Sequence, residues 1–201
     1  MQLIIFFNGW GMNEKILKNI SLDKNFELLH IGFPYKVPKI NFTSYEKIFV
    51  IGWSFGVFYA SKFLLENPNL NCFSIAINGT PYTIGEFGIS PKMFKLTCDN
   101  LSLATLKLFY KNMGVYEEID FDNVDIQNLQ LELFELQSNT FDKHHIFNKA
   151  FLGKNDRIIP YSKQLKFFTK EKTNIVTLEC EHYPFKVLTN WGKIINENNE
   201  F

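Results

Sequence analysis

The chain has 201 residues, 46% of them hydrophobic and 16% aromatic, with 21 lysines and arginines against 21 aspartates and glutamates. This length and apolar content predict one globular domain with a sizeable core and room for an inserted subdomain, and they exclude a disordered chain. The balanced charge leaves no global basic signature of nucleic-acid binding, and Cys72, Cys98 and Cys180 form neither a C-x-x-C pair nor a disulfide framework, so a reducing, cytoplasmic setting is expected.

In chain order, Met1-Gln2-Leu3-Ile4-Ile5-Phe6-Phe7 lacks basic residues, and Asn8-Gly9 ends its short apolar run. It reads as a first β-strand over residues 3–7 rather than as a signal peptide. A glycine-rich turn and a helix over residues 13–20 follow. Residues 26–31 read as a second strand, then comes a loop with Gly32, Pro34 and Pro38. Residues 47–51 form a strand, Gly52-Trp53-Ser54-Phe55-Gly56 interrupts it, and residues 57–65 read as a helix that stops near Asn67-Pro68. Strands are predicted over residues 73–77, 148–152 and 173–178, and helices over 161–169 and 185–195. No stretch approaches the roughly 20 apolar residues of a membrane span. Short apolar strands alternating with helices argue for an α/β fold with a mostly parallel sheet covered on both faces. Residues 82–145 break the rhythm. They hold no convincing strand, and 101–110 and 124–136 have helical apolar spacing. The division predicted is a core of residues 1–81 and 146–201 with a helical cap insertion at 82–145.

Gly52-Trp53-Ser54-Phe55-Gly56 is G-x-S-x-G between a strand and a helix, the nucleophile elbow of the α/β-hydrolase fold. By itself the pattern is only a serine in a glycine turn, and the flanking strand and helix give it weight. A serine hydroxyl needs a base, and the base needs an orienting carboxylate, in the chain order Ser, Asp or Glu, His. Among the four histidines, His30 precedes the elbow and His144 and His145 lie at the end of the insertion. His182 follows the last strand and is the expected base. Asp156, in the turn Gly153-Lys154-Asn155-Asp156, is the expected acid, although aspartates there commonly serve as turn formers or helix caps; Asp142 is the weaker alternative. Two backbone N–H groups must face the developing oxyanion. Phe55 is expected to supply one and Trp10, in Asn8-Gly9-Trp10-Gly11, the other. The histidines show no metal-ligand spacing, and neither a metal nor a cofactor is expected.

Phe7-Asn8-Gly9-Trp10-Gly11-Met12-Asn13, Gly52-Trp53-Ser54-Phe55-Gly56, Gly153-Lys154-Asn155-Asp156 and His182-Tyr183-Pro184-Phe185 together resemble the pimeloyl-acyl-carrier-protein methyl ester esterases of biotin synthesis, the short BioG type more than the longer BioH type. The resemblance runs through the core and covers the cap only loosely. It implies hydrolysis of the methyl ester on pimeloyl-acyl-carrier protein, with Ser54 as nucleophile, His182 as base and acid, Asp156 as orienter, and Trp10 and Phe55 as oxyanion donors. BioH-type caps meet the acidic carrier protein with arginines, which this cap lacks. Lys92, Lys95, Lys107 and Lys111 are the substitutes expected in its first half, whereas Glu117, Glu118, Asp120, Asp122, Asp125, Glu132 and Glu135 make the second half acidic. The partner implied is the acyl-carrier protein, with no nucleic acid and no membrane, and the enzyme is expected to be a monomer. A general short-chain carboxylesterase or thioesterase shares every one of these catalytic residues, and a non-catalytic hydrolase-fold binding protein is the reading from another class.

Overall fold

The computed structural model describes residues 1–115, 124–138 and 143–196. Six strands, β1 (Gln2–Phe7), β2 (Phe26–Ile31), β3 (Lys47–Trp53), β4 (Phe73–Ile77), β5 (Lys149–Gly153) and β6 (Asn174–Leu178), form one sheet in the order β2-β1-β3-β4-β5-β6. Every pairing between neighbouring strands is parallel. Leu3, Ile4, Ile5, Phe6 and Phe7 are all buried. Successive residues of a strand point to opposite faces, so both faces of the sheet are covered there, which is why the run is apolar throughout rather than alternating.

Helix α1 (Gly56–Glu66) packs on β1 and β3, and α5 (Tyr161–Lys170) packs on β5 and β6. Between β4 and β5 the chain inserts α2 (Pro91–Asp99), α3 (Leu103–Met113) and α4 (Ile126–Ser138); α6 (Trp191–Ile195) ends the described chain. Among the described residues no helix is long and apolar enough to cross a membrane. Helix α2 lies outside the two segments whose apolar spacing read as helical, yet its start is written locally. Ser90 accepts from the Met93 N–H, and Pro91 occupies the first turn, where its missing N–H costs nothing.

Two predicted helices are much shorter than expected. Residues 13–20 hold only a 3-10 turn at Glu14–Leu17, and 185–195 are helical only from Trp191. Ser21 N–H donates to Thr189 O (2.8 Å) and Trp191 N–H to Ser21 O (3.1 Å). This long-range pairing holds Asn190 extended, so the second helix starts only at Trp191, and it follows directly on the first segment.

The sheet order sets the position of the site. The chain leaves β1 toward β2 on one side and returns through β3 on the other, so the crevice at the carboxyl ends of β1 and β3 is a topological switch point. Phe7 is in register with Gly52, which brings the turns following these two strands side by side.

Candidate functional site

Ser54 occupies the turn between β3 and α1 with φ of 56°, a left-handed conformation that a non-glycine residue holds only when its surroundings enforce it. Its N–H donates to Ile77 O (2.9 Å) and its carbonyl accepts from Val57 N–H (3.1 Å). The flanking glycines are required by close approach. A Cβ on Gly52 would come within 2.6 Å of Gly56 O and Val57 Cα, and one on Gly56 would run into the Phe7 carbonyl.

His182 follows β6, and its loop is held from below. Its carbonyl accepts from Trp53 Nε1 (3.0 Å) and Asn78 Nδ2 (2.9 Å). The same Asn78, at the end of β4, donates to Glu181 O (3.0 Å) and accepts from Gly153 N–H (2.6 Å), so one side chain joins the ends of β4, β5 and β6. Asp156 lies in the turn after β5. Its Oδ1 accepts from the N–H groups of Ile158 (2.8 Å) and Ile159 (2.9 Å), and its Oδ2 accepts from Gln164 Nε2 (2.9 Å) and His182 Nδ1 (2.8 Å). A carboxylate can only accept, so Nδ1 carries the imidazole proton and Nε2 presents its lone pair, 2.8 Å from Ser54 Oγ. Ser54 is 5% exposed, Asp156 7% and His182 not at all. The three residues expected to act together are thus brought into one buried, hydrogen-bonded line.

The turn after β1 runs beside this line, with the Cβ position of Gly9 3.2 Å from Ser54 Cβ. Among the described residues, neither the Trp10 nor the Phe55 backbone N–H has an acceptor. The inserted helices close over this turn. Trp10 Nε1 donates to Leu129 O of α4 (3.0 Å), its ring packs edge-on against Phe109 of α3, and the Phe55 ring lies against Phe94 of α2. A cavity of about 640 Å³ is bounded by Trp10, by Met93 and Leu96 of α2, by Leu108 and Phe109 of α3, and by Ile158 just after Asp156. It therefore adjoins both chain segments that flank the Ser54–His182 pair.

The remaining sequence candidates lie elsewhere. His30 stacks on Phe6, His144 bonds Tyr82 Oη (3.0 Å) and His145 bonds Ser74 Oγ (3.0 Å). Asp142, Glu117, Glu118, Asp120 and Asp122 lie outside the described residues. Lys92 and Lys95 on α2 and Lys107 and Lys111 on α3 are exposed, and Lys95 pairs with Asp99 at 2.8 Å.

Glu132 is a correction. It is 3% exposed and does not belong to an acidic surface. Its Oε1 accepts from Tyr35 Oη (2.5 Å) and its Oε2 from Gly11 N–H (3.3 Å). Burial pushes its carboxyl up to about 7, against the pull of those two bonds. Asn78, Gln164 and Glu132 carry no motif of their own. Only Asn78 had a local signal, a polar residue directly ending an apolar strand.

The parallel sheet, the strand order and the strand-serine-helix turn at the switch point define an α/β-hydrolase. The solved structure of BioG from Haemophilus influenzae superposes with a TM-score of 0.83 over 96% of this chain and 94% of that one, at 24% identity. A bromoperoxidase from Bacillus anthracis gives 0.67 over 92% and 86%, at 14% identity. The profile of the family described as pimeloyl-ACP methyl esterase BioG matches residues 1–194, and the chain belongs to that family. It is also 33% identical over 205 residues to a malonyl-[acyl-carrier protein] O-methyltransferase of Bacteroides fragilis, covering 93% of this chain. The chain spans only 40% of the length of that relative.

Proposed function

We propose that the chain hydrolyses the methyl ester of pimeloyl-acyl-carrier protein through an acyl-enzyme on Ser54. The observation that carries the reading is the line Ser54 Oγ–His182 Nε2 and His182 Nδ1–Asp156 Oδ2, each step 2.8 Å. Ser54 Oγ attacks the ester carbonyl as Nε2 takes its proton. Asp156 holds the imidazolium that forms, and the Trp10 and Phe55 N–H groups receive the oxyanion. The tetrahedral species collapses, Nε2 returns the proton to the departing methoxy oxygen, and methanol leaves. Water then repeats the sequence on the acyl-enzyme and frees the carboxylate.

Family membership supports the substrate, as does the apolar cavity, whose volume suits an extended acyl chain. The B. fragilis relative supports it as well, because a protein named for methylating a carrier-bound acid contains a segment like this chain. In this reading α2–α4 are a cap over Ser54, and the carrier protein docks on Lys92, Lys95, Lys107 and Lys111 in the cytoplasm, with no cofactor.

The test is complementation of a biotin-auxotrophic strain lacking its own esterase, together with rates on methyl pimeloyl-carrier protein and on p-nitrophenyl acetate. The wild-type chain is expected to restore growth and to prefer the carrier-protein ester, and Ser54→Ala to do neither while staying folded. Growth with Ser54→Ala would dismiss Ser54 as the nucleophile. Equal catalytic efficiency on both esters would leave a general carboxylesterase, and failure of a fluorophosphonate to label Ser54 would leave a binding protein.

A further inference from the structure

The turn that bears Trp10 is built to aim one N–H group. Met12 N–H donates to Gly9 O (3.3 Å), closing a β-turn with Trp10 and Gly11 at its centre. Gly11 has φ of 67°, as the third residue of a type II turn requires. In a trans peptide the C=O and N–H point in opposite directions. With Gly9 O turned inward to Met12, the Trp10 N–H of the same peptide points out of the turn, and the turn lies against Ser54.

A two-residue turn centre holding a glycine has little stiffness of its own. What fixes this one comes from the inserted helices. Glu132 Oε2 of α4 accepts from Gly11 N–H, Tyr110 Oη of α3 donates to Gly11 O (3.1 Å), and the Trp10 indole donates to Leu129 O, one helical turn before Glu132. Gly11 is gripped so closely that a Cβ there would lie 2.8 Å from Tyr110 Oη and 2.9 Å from Leu129 Cδ2. Glu132 is itself anchored through Oε1 to Tyr35, whose ring stacks on Tyr59 of α1 at 3.6 Å and 11°. The carboxylate thereby spans from the elbow helix to the turn after β1.

We infer that Glu132 is a positioning residue for the reaction: its carboxyl holds the Gly11 peptide, and through it aims the Trp10 N–H at the oxyanion, so that the seating of α4 governs transition-state stabilisation. A buried acid is costly where packing alone is needed, and a leucine would fill the same place. Glutamine keeps the geometry: its carbonyl oxygen can accept from Gly11 N–H, and its amide can donate to Tyr35 Oη.

The inference rests on the esterase reading, so the experiment separates the two. Wild type, Glu132→Gln and Glu132→Ala are compared on p-nitrophenyl acetate, with active sites counted by fluorophosphonate labelling run to completion and with Tm measured. Phenylboronic acid, which forms a tetrahedral adduct on a reactive serine, reports the oxyanion site directly. Losing an oxyanion donor outright lowers kcat about 100- to 1000-fold. Misaiming one is expected to lower kcat per labelled site roughly tenfold in Glu132→Ala. KM should be little changed, the boronate should weaken in parallel, and Glu132→Gln should recover most of the loss. Unchanged kcat per labelled site in Glu132→Ala, with only Tm lowered, would overturn the inference and leave a packing role. So would a Gln variant as impaired as Ala, because charge rather than geometry would then be at issue. If Glu132→Ala does not fold, Glu132→Met fills the same space without an acceptor for the Gly11 N–H, and unchanged kcat per labelled site there would overturn the inference. Absence of Ser54-dependent hydrolysis in the wild type would overturn the esterase reading itself.

Discussion

Replacing Asp156 by asparagine changes one oxygen into an amide nitrogen and alters the shape very little, so its effect isolates the direction of one proton. The carboxylate receives four donors, two on each oxygen: Ile158 and Ile159 N–H on Oδ1, Gln164 Nε2 and His182 Nδ1 on Oδ2. An asparagine can serve only one pair. With its nitrogen toward Ile158 and Ile159, one buried and one partly buried backbone N–H lose their acceptor, at about 1–3 kcal/mol for the buried one. With its nitrogen toward His182, the backbone pair is kept. Gln164 Nε2 then gives up only one of its two acceptors, because it also donates to Ile159 O (2.6 Å). The second orientation is therefore favoured by a few kcal/mol.

In that orientation the amide donates to His182 Nδ1, which moves the imidazole proton to Nε2, where Ser54 Oγ needs an acceptor. The expected result is a loss of kcat on the order of 10³–10⁴, or about 4–5.5 kcal/mol of barrier, with little change in Tm because the packing is conserved. Hydrolysis of p-nitrophenyl acetate and of methyl pimeloyl-carrier protein would measure it, with circular dichroism to verify the fold. A folded variant retaining kcat within tenfold of wild type would refute the reasoning and pass the acid role to another carboxylate, with Asp142 the first to test.

Two further outcomes are expected. Asn78→Ala removes the donor to the Glu181 and His182 carbonyls and leaves the Gly153 N–H without its acceptor. The cost is about 2–4 kcal/mol, which shows as a Tm lowered by on the order of 10 °C, and kcat falls as the His182 loop loosens. The double reversal Lys92→Glu, Lys95→Glu should raise KM for the carrier-protein ester and leave p-nitrophenyl acetate untouched. Replacing Lys95 also sets two carboxylates at i,i+4 with Asp99, a penalty of only about 0.3–0.5 kcal/mol that a Tm scan would register as negligible. Equal KM effects on both esters would dismiss the docking face.

The four central strands were legible because each is a short, mostly apolar run ended by a turn residue, and burial on both faces leaves no other use for such a run; the edge strands β2 and β6 carry Glu27, His30 and Thr177 among their apolar residues. Residues 73–77 were read with the bounds the structure shows. The helices at 13–20 and 185–195 were over-read because their local spacing is helical; in the second, the pairing of Ser21 with Thr189 that delays the helix to Trp191 joins residues 168 apart. At the site, Ser54, Asp156 and His182 could be read from chain order and loop position. Glu132 could not. A glutamate among acidic neighbours looks like a solvated face, and only the arrival of Gly11 and Tyr35 from distant segments makes it a buried acceptor.

The distribution of buried polar groups bears on what this fold is for. Asn8 follows β1, Ser54 follows β3, Asn78 and Thr80 follow β4, Asp156 follows β5 and His182 follows β6, all buried. Other buried hydroxyls, Ser61 and Ser74, bond the backbone and side chains of residues 145–148 and have a local structural use. The strand-end set bonds instead mainly to its own members and to the loops that carry them, and its terminal donor is the hydroxyl of a serine held at positive φ. Replacing such a network with apolar side chains of similar shape is often neutral or stabilising. Stability alone gives no reason to place polar residues at the carboxyl ends of five adjacent strands and to hold two of them, Ser54 and Asn78, at positive φ. Chemistry at that edge does, because the crevice at the β1/β3 switch point is where the geometry of the sheet lets separate loops converge on one atom.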